Sequence, residues 1–157
     1  MKKKIILLIV FIIFVLILSR GLVKKEKNSQ VDLQKKEEEI QAVLANQEEL
    51  AMAVGKLADQ AKIEEALAKN SQLKENLHQA LVLNQIIIDN LNEERREVFI
   101  KRKELLETNL RMLEKMEECL AYIGKDKKAL EKCQLEFTAI NEELEGKGKE
   151  LQNLSRS

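Results

Sequence analysis

The sequence predicts an all-α fold: an N-terminal transmembrane helix, then a long coiled-coil helix, then a C-terminal antiparallel helical hairpin. Three observations carry this. The 157 residues include no proline and no tryptophan, and only 3% are aromatic, so the chain lacks both an aromatic core and the residue that stops helices most firmly. Leu, Ala, Glu and Lys, all strong helix formers, fill much of the remainder. Beyond residue 40 apolar side chains recur at helical spacing, and an alternating strand pattern is nowhere sustained. The same composition speaks against an enzyme. One His, one Tyr and no glycine-rich phosphate loop leave little from which to build a catalytic, cofactor, metal or small-molecule site.

The first element, residues 1–23, reads as a signal-anchor. Met1-Lys2-Lys3-Lys4 precedes a run from Ile5 to Leu18 without a polar side chain. As helix that run covers about 21 Å, and continuation to Val23 brings it to about 28 Å, close to the ~30 Å hydrocarbon core. Arg20 reaches the headgroups by snorkelling. The competing reading is a cleaved signal peptide, with Ser19 and Gly21 at the inspected positions and a mature, secreted chain starting near Leu22. Lys2, Lys3 and Lys4 on one flank face Arg20, Lys24, Lys25 and Lys27 on the other, so the positive-inside count does not set orientation. The four-residue tail resembles the start of an export signal. We therefore expect a single-pass protein with its N-terminus in the cytoplasm and the rest periplasmic or extracellular. Losing Lys2, Lys3, Lys4 and Arg20 with this segment takes the 27 basic residues to 23 against 27 acidic, a mildly acidic balance that disfavours nucleic acid.

Residues 24–39 are almost wholly polar and read as a juxtamembrane linker, becoming helical near Val31. Residues 40–91 follow as a coiled-coil helix. One heptad column, Ile63, Asn70, Leu77, Asn84, Leu91, Val98, Leu105, Met112 and Cys119, persists for nine repeats. Its companion, Ala66, Leu73, Ala80 and Ile87, fails at Glu94 and Lys101, so the seam shifts to other neighbours beyond about residue 90. Asn70 and Asn84 either fix register from inside the seam or face solvent where it drifts. Unbroken from Ile40 to Ile123, such a helix reaches about 125 Å, a length suited to spanning an envelope compartment.

The last segment, 92–157, is expected to be a helical hairpin turning near 124–126. Gly124 suits the left-handed position past a helix end, and Asp126 can cap the helix that follows. A weaker break falls at Asp89-Asn90-Leu91-Asn92, where Asn90 and Glu93 have capping-box spacing. Gly55 is tolerated inside a helix, whereas Gly146 and Gly148 are expected to fray the last turns. After the turn Leu130, Cys133, Phe137, Ile140 and Leu144 repeat in threes and fours, interrupted only by Lys147 before Leu151 and Leu154. Folding at 126 sets Met112 opposite Ile140 and Val98 opposite Leu154, but Leu105 opposite Lys147, a poor fit.

The same fold sets Cys119 against Cys133. On one straight helix they stand about 21 Å apart, beyond the ~7 Å limit for a disulfide. Three states remain open: an intrachain bond closing the hairpin, interchain bonds across a parallel dimer, and two buried free thiols in a reducing compartment. Two thiols without a nearby His supply too few metal ligands. His78 reads as surface or filler, and the Met112/Met116 pair as packing. Arg95, Arg96, Lys101, Arg102 and Lys103, interleaved with acids, read as a solvated face with pairs such as Glu97 with Lys101. Ile86-Ile87-Ile88 is too wide for one seam and reads either as contact with a second helix or a partner, or as ordinary core.

In layout the chain resembles short bitopic envelope proteins, such as coiled-coil components of the bacterial division complex or the inner-membrane subunit of phage spanins. That likeness is one of architecture and transfers no residue roles. The expectation is a non-enzymatic, membrane-anchored envelope scaffold or spacer that self-associates or docks a helical partner. The alternatives are a regulatory accessory subunit of an envelope enzyme or transport or division complex, and a secreted helical protein.

Overall fold

The computed structural model describes residues 31–154, so the anchor assigned to 1–23 and linker residues 24–30 lie outside it. The described chain forms five helices: α1 (Val31–Leu44), α2 (Gln47–Asp59), α3 (Ile63–Asn90), α4 (Glu93–Tyr122) and α5 (Lys127–Leu154). Among these residues there is no strand, and no helix is long and apolar enough to cross a membrane. α1 and α2 both lie along α3, α3 packs on α4, and α4 packs on α5. Successive columns run antiparallel. The amide of Asn70 meets the carbonyl of Leu113 while Asn84 meets that of Phe99, so later residues of α3 face earlier residues of α4.

Residues 40–91 are therefore not one coiled-coil helix. The helix breaks at 45–46, the chain reverses at 60–62 and reverses again at 91–92, so the expected 125 Å reach does not form. The longest element, the 30-residue α4, spans about 45 Å. The physical reason lies in three matched stripes. Glu37, Ile40, Leu44, Gln47, Ala51 and Val54 step by threes and fours through α1 and α2, as do Ala66 to Ile87 in α3 and Arg102, Leu106, Asn109, Leu113, Met116 and Leu120 in α4. All of these side chains are buried. A straight helix would leave each stripe in water unless a partner covered it, whereas reversal lets the stripes cover one another.

The linker is corrected in the same way. Residues 31–39 belong to α1, with Glu37 and Ile40 buried and Leu33 packed against the core. The polar residues around them occupy the other faces of the helix.

Each reversal has its own local chemistry. Beyond α4, Gly124 takes φ +75°, the amides of Lys125 and Asp126 both donate to the Tyr122 carbonyl, and Asp126 Oδ1 accepts from the Ala129 amide at 2.9 Å. Leu91 and Asn92 are extended between α3 and α4, and Arg96 Nε donates back to the Leu91 carbonyl. Between α2 and α3 the turn contains no glycine, and Ala61 adopts φ +59°. α5 does not fray at its glycines. It runs unbroken to Leu154, with Leu144 and Leu151 buried on either side of buried Gly148.

Candidate functional site

α4 is buried on two faces, which explains why the companion column fails after residue 90. The stripe from Arg102 to Leu120 faces the α1/α2/α3 side, as the contacts of Arg102 and Leu113 show. The other stripe, with Leu105, Thr108, Met112 and Cys119, lies on the side of α5, where Lys147 reaches Thr108 and Cys133 reaches Cys119. Of the expected seam, Leu77, Leu105, Met112, Phe137 and Leu144 are buried, while Ile63, Leu91, Val98 and Ile140 are half-buried against the core. Leu130 is half-buried on the first turn of α5.

The least expected feature is a buried polar network where α1, α3 and α4 meet. Arg102 is 1% exposed and Glu37 5%. The guanidinium donates to both Glu37 oxygens, Nη1 to Oε1 at 2.5 Å and Nη2 to Oε2 at 2.7 Å, and Nε donates to Asn84 Oδ1 at 2.6 Å. The amide of Asn84 in turn donates to the Phe99 carbonyl, and the Phe99 ring lies 4.6 Å from the guanidinium carbon. Three donors of the planar fork are thus matched, and the ring covers the cation, the arrangement that makes a buried arginine tolerable. Arg102 does not lie on a solvated face. Its position in the Arg102-Leu106-Asn109-Leu113 stripe carried that signal, which the interleaved charges of residues 93–104 obscured.

The remaining basic cluster disperses into separate contacts. Lys101 pairs with Glu104 at 3.1 Å and Glu150 at 3.5 Å rather than forming the expected pair with Glu97, and Lys103 bonds Gln85 at 2.9 Å. Asn70 and Asn84 are both fully buried, so of the two readings left open by the sequence the structure has the interior one. Asn109 Nδ2, Gln47 Nε2 and Asn70 Oδ1 have no hydrogen-bond partner within the protein.

At the other end of α4, Cys119 and Cys133 stand at disulfide distance, their Cα atoms 5.6 Å apart. Below them ion pairs line the α4–α5 seam. Arg111 grips Glu143 through two contacts of 2.7 Å, and Lys115 bonds Glu136 at 2.9 Å. The hydrogen bonds that Lys115 donates to Glu118 and Glu136 push its ammonium up to about 12, while Lys115 holds Glu136, and Arg111 with Lys147 holds Glu143, below the ordinary carboxylate value. Lys147, the misfit of the sequence pattern, turns its ammonium to the Thr108 hydroxyl at 3.0 Å and to Glu143 at 3.0 Å. The long aliphatic stem covers the seam while the charge leaves it.

Among the described residues no group of three His, Cys, Asp or Glu side chains is placed to hold a metal ion. His78 is exposed on α3, and Met112 and Met116 are core. Of the isoleucine triplet, Ile87 and Ile88 are buried and Ile86 is 38% exposed, one turn from Val82, which is 62% exposed. No protein-family model, curated protein or solved structure matches this chain.

Proposed function

We propose that the chain is a non-enzymatic, single-pass membrane-anchored scaffold, held by residues 5–23 with its N-terminus in the cytoplasm and its helical bundle projecting outside it. The observation that carries this reading is the joint between α1 and α4. α1 is the first helix of the described residues, and the buried Glu37–Arg102 pair ties it to the longest helix of the bundle. The pair holds α1, the element nearest the apolar run among the described residues, in a fixed relation to the rest of the bundle. The approach of Cys119 and Cys133 supports an oxidising compartment, where such a pair is stably bonded. The reading is a platform rather than a long spacer.

Topology reporters at the C-terminus test it, combined with thiol blocking and intact mass on protein taken from membranes. We expect an exported C-terminus, a retained Met1-Lys2 end and two cysteines inaccessible to the blocking reagent. An internal C-terminus with two blocked thiols overturns the orientation. A soluble chain beginning near Leu22 establishes the secreted form instead.

A second reading, a regulatory accessory subunit, is favoured by one observation: Val82 and Ile86 expose an apolar pair on the outer face of α3. Val82→Glu with Ile86→Glu leaves a platform intact and abolishes capture of a regulated partner.

A further inference from the structure

The turn between α2 and α3 is built against its own residues. Gln60, Ala61 and Lys62 all favour helix, and no glycine or proline occurs from Lys56 to Asn90, yet Ala61 is held in the left-handed region at φ +59°. The Gly124 turn, with a glycine in that conformation and an aspartate cap, has no such conflict. Short hinges under strain favour exchange of the flanking element between identical chains.

The arm that would be exchanged is well defined. α1 and α2 meet the rest of the bundle along α3 and at Arg102, and their covalent link to it is the 60–62 turn. Every contact they make in one chain can therefore be made by the same arm of a second copy. Gln47, Asn70 and Asn109, with a buried amide atom each lacking a protein partner, also make this interior less costly to open than an apolar one.

We propose that the chain forms a domain-swapped dimer in which α1 and α2 of each copy lie against α3 and α4 of the other, while α2 continues through Ala61 into α3 as one helix. Ala61 then returns to a helical φ, and both Glu37–Arg102 pairs form between chains. The fused helix, residues 47–90, measures about 66 Å. This names a partner for the scaffold reading, a second copy of the chain. It rests on the turn and not on the anchor, so the topology experiment and the one below fail independently.

The test uses the full chain in detergent. Wild type is expected to show a dimer by mass in solution, and Ala61→Gly, which relaxes the closed turn and weakens the fused helix, is expected to raise the dimer dissociation constant at least tenfold. Differently tagged Glu37→Arg and Arg102→Glu chains, each with a like-charged buried pair when alone, are then coexpressed. In the swapped heterodimer position 37 of each chain meets the opposite charge at position 102 of the other, so the two chains are expected to copurify one to one. A wild type that remains monomeric overturns the proposal. So does a dimer indifferent to Ala61→Gly, or charge variants that do not rescue one another.

Discussion

Arg102 and Glu37, 65 positions apart, form a two-pronged ion pair in the interior of the bundle, the guanidinium at 2.5 and 2.7 Å from the two carboxylate oxygens. Removing either partner leaves the other charge buried without compensation. Glu37→Leu or Arg102→Met is expected to lower stability by about 3 to 5 kcal/mol, whereas the double replacement is expected to recover most of that loss. Urea unfolding followed by circular dichroism measures all three, and a double variant as unstable as the worse single one refutes the coupling.

The two buried asparagines on α3 are not equivalent. Asn84 accepts from Arg102, so Asn84→Leu strands a charged donor and is expected to cost about 2 kcal/mol. Asn70 gives one bond to the Leu113 carbonyl while its own oxygen lacks a protein partner, so Asn70→Leu is expected to be close to neutral. Equal losses in paired melts of the two variants would remove this distinction.

Gly124 and Gly146 both have open space around an added Cβ, so backbone conformation alone separates them. Gly124→Ala places a side chain at φ +75° and is expected to destabilise by about 1 kcal/mol. Gly146→Ala, in the interior of α5, is expected to stabilise by about 0.5 to 1 kcal/mol. Opposite shifts in thermal midpoint are the result to look for.

Bonding Cys119 to Cys133 closes a loop of 14-residue separation around the Gly124 turn. Replacing both with serine is expected to lower stability by about 3 kcal/mol on the loop-entropy account. The helical signal at 222 nm should persist, because Leu105, Met112, Phe137 and Leu144 remain buried. Unfolding with and without reductant separates the bond from the substitution.

The α4–α5 seam is expected to weaken at both extremes of pH. Glu136 and Glu143 titrate below the ordinary 4.5 when folded, so their contribution is complete above 4.5 and is lost as pH falls through the lower folded values. Lys115 titrates at about 12, so its contribution is complete below 10.5 and is lost as pH rises through 12. These groups are solvent-accessible, so both effects are small and shrink with added salt. Thermal midpoints against pH check this. Glu136→Gln with Glu143→Gln should flatten the acid limb by lowering the neutral-pH midpoint by about as much as wild type loses on acidification.

Much of this architecture is local and therefore readable in order along the chain. Propensity and the missing prolines determine helix throughout the described residues. Gly124 and Asp126 mark a turn by their own conformational chemistry, and the common heptad step then brings Cys119 to Cys133 and Met112 towards Ile140 without any knowledge of the core. The column from Ile63 to Leu91 announces a stripe that must be buried.

What covers that stripe was decided only by the tertiary structure. A heptad stripe is complementary to any other, so the pattern from Ala66 to Ile87 fits a second chain as well as it fits residues 37–54 of its own. The reversal at Ala61 has no glycine or proline to mark it, because it is imposed by the packing on either side. Arg102 likewise reads as one more charge in a mixed run until Glu37 and Asn84 arrive from distant positions. Local preference is a property of a few neighbouring residues, whereas the burial of a charge depends on which partners the whole fold brings within reach.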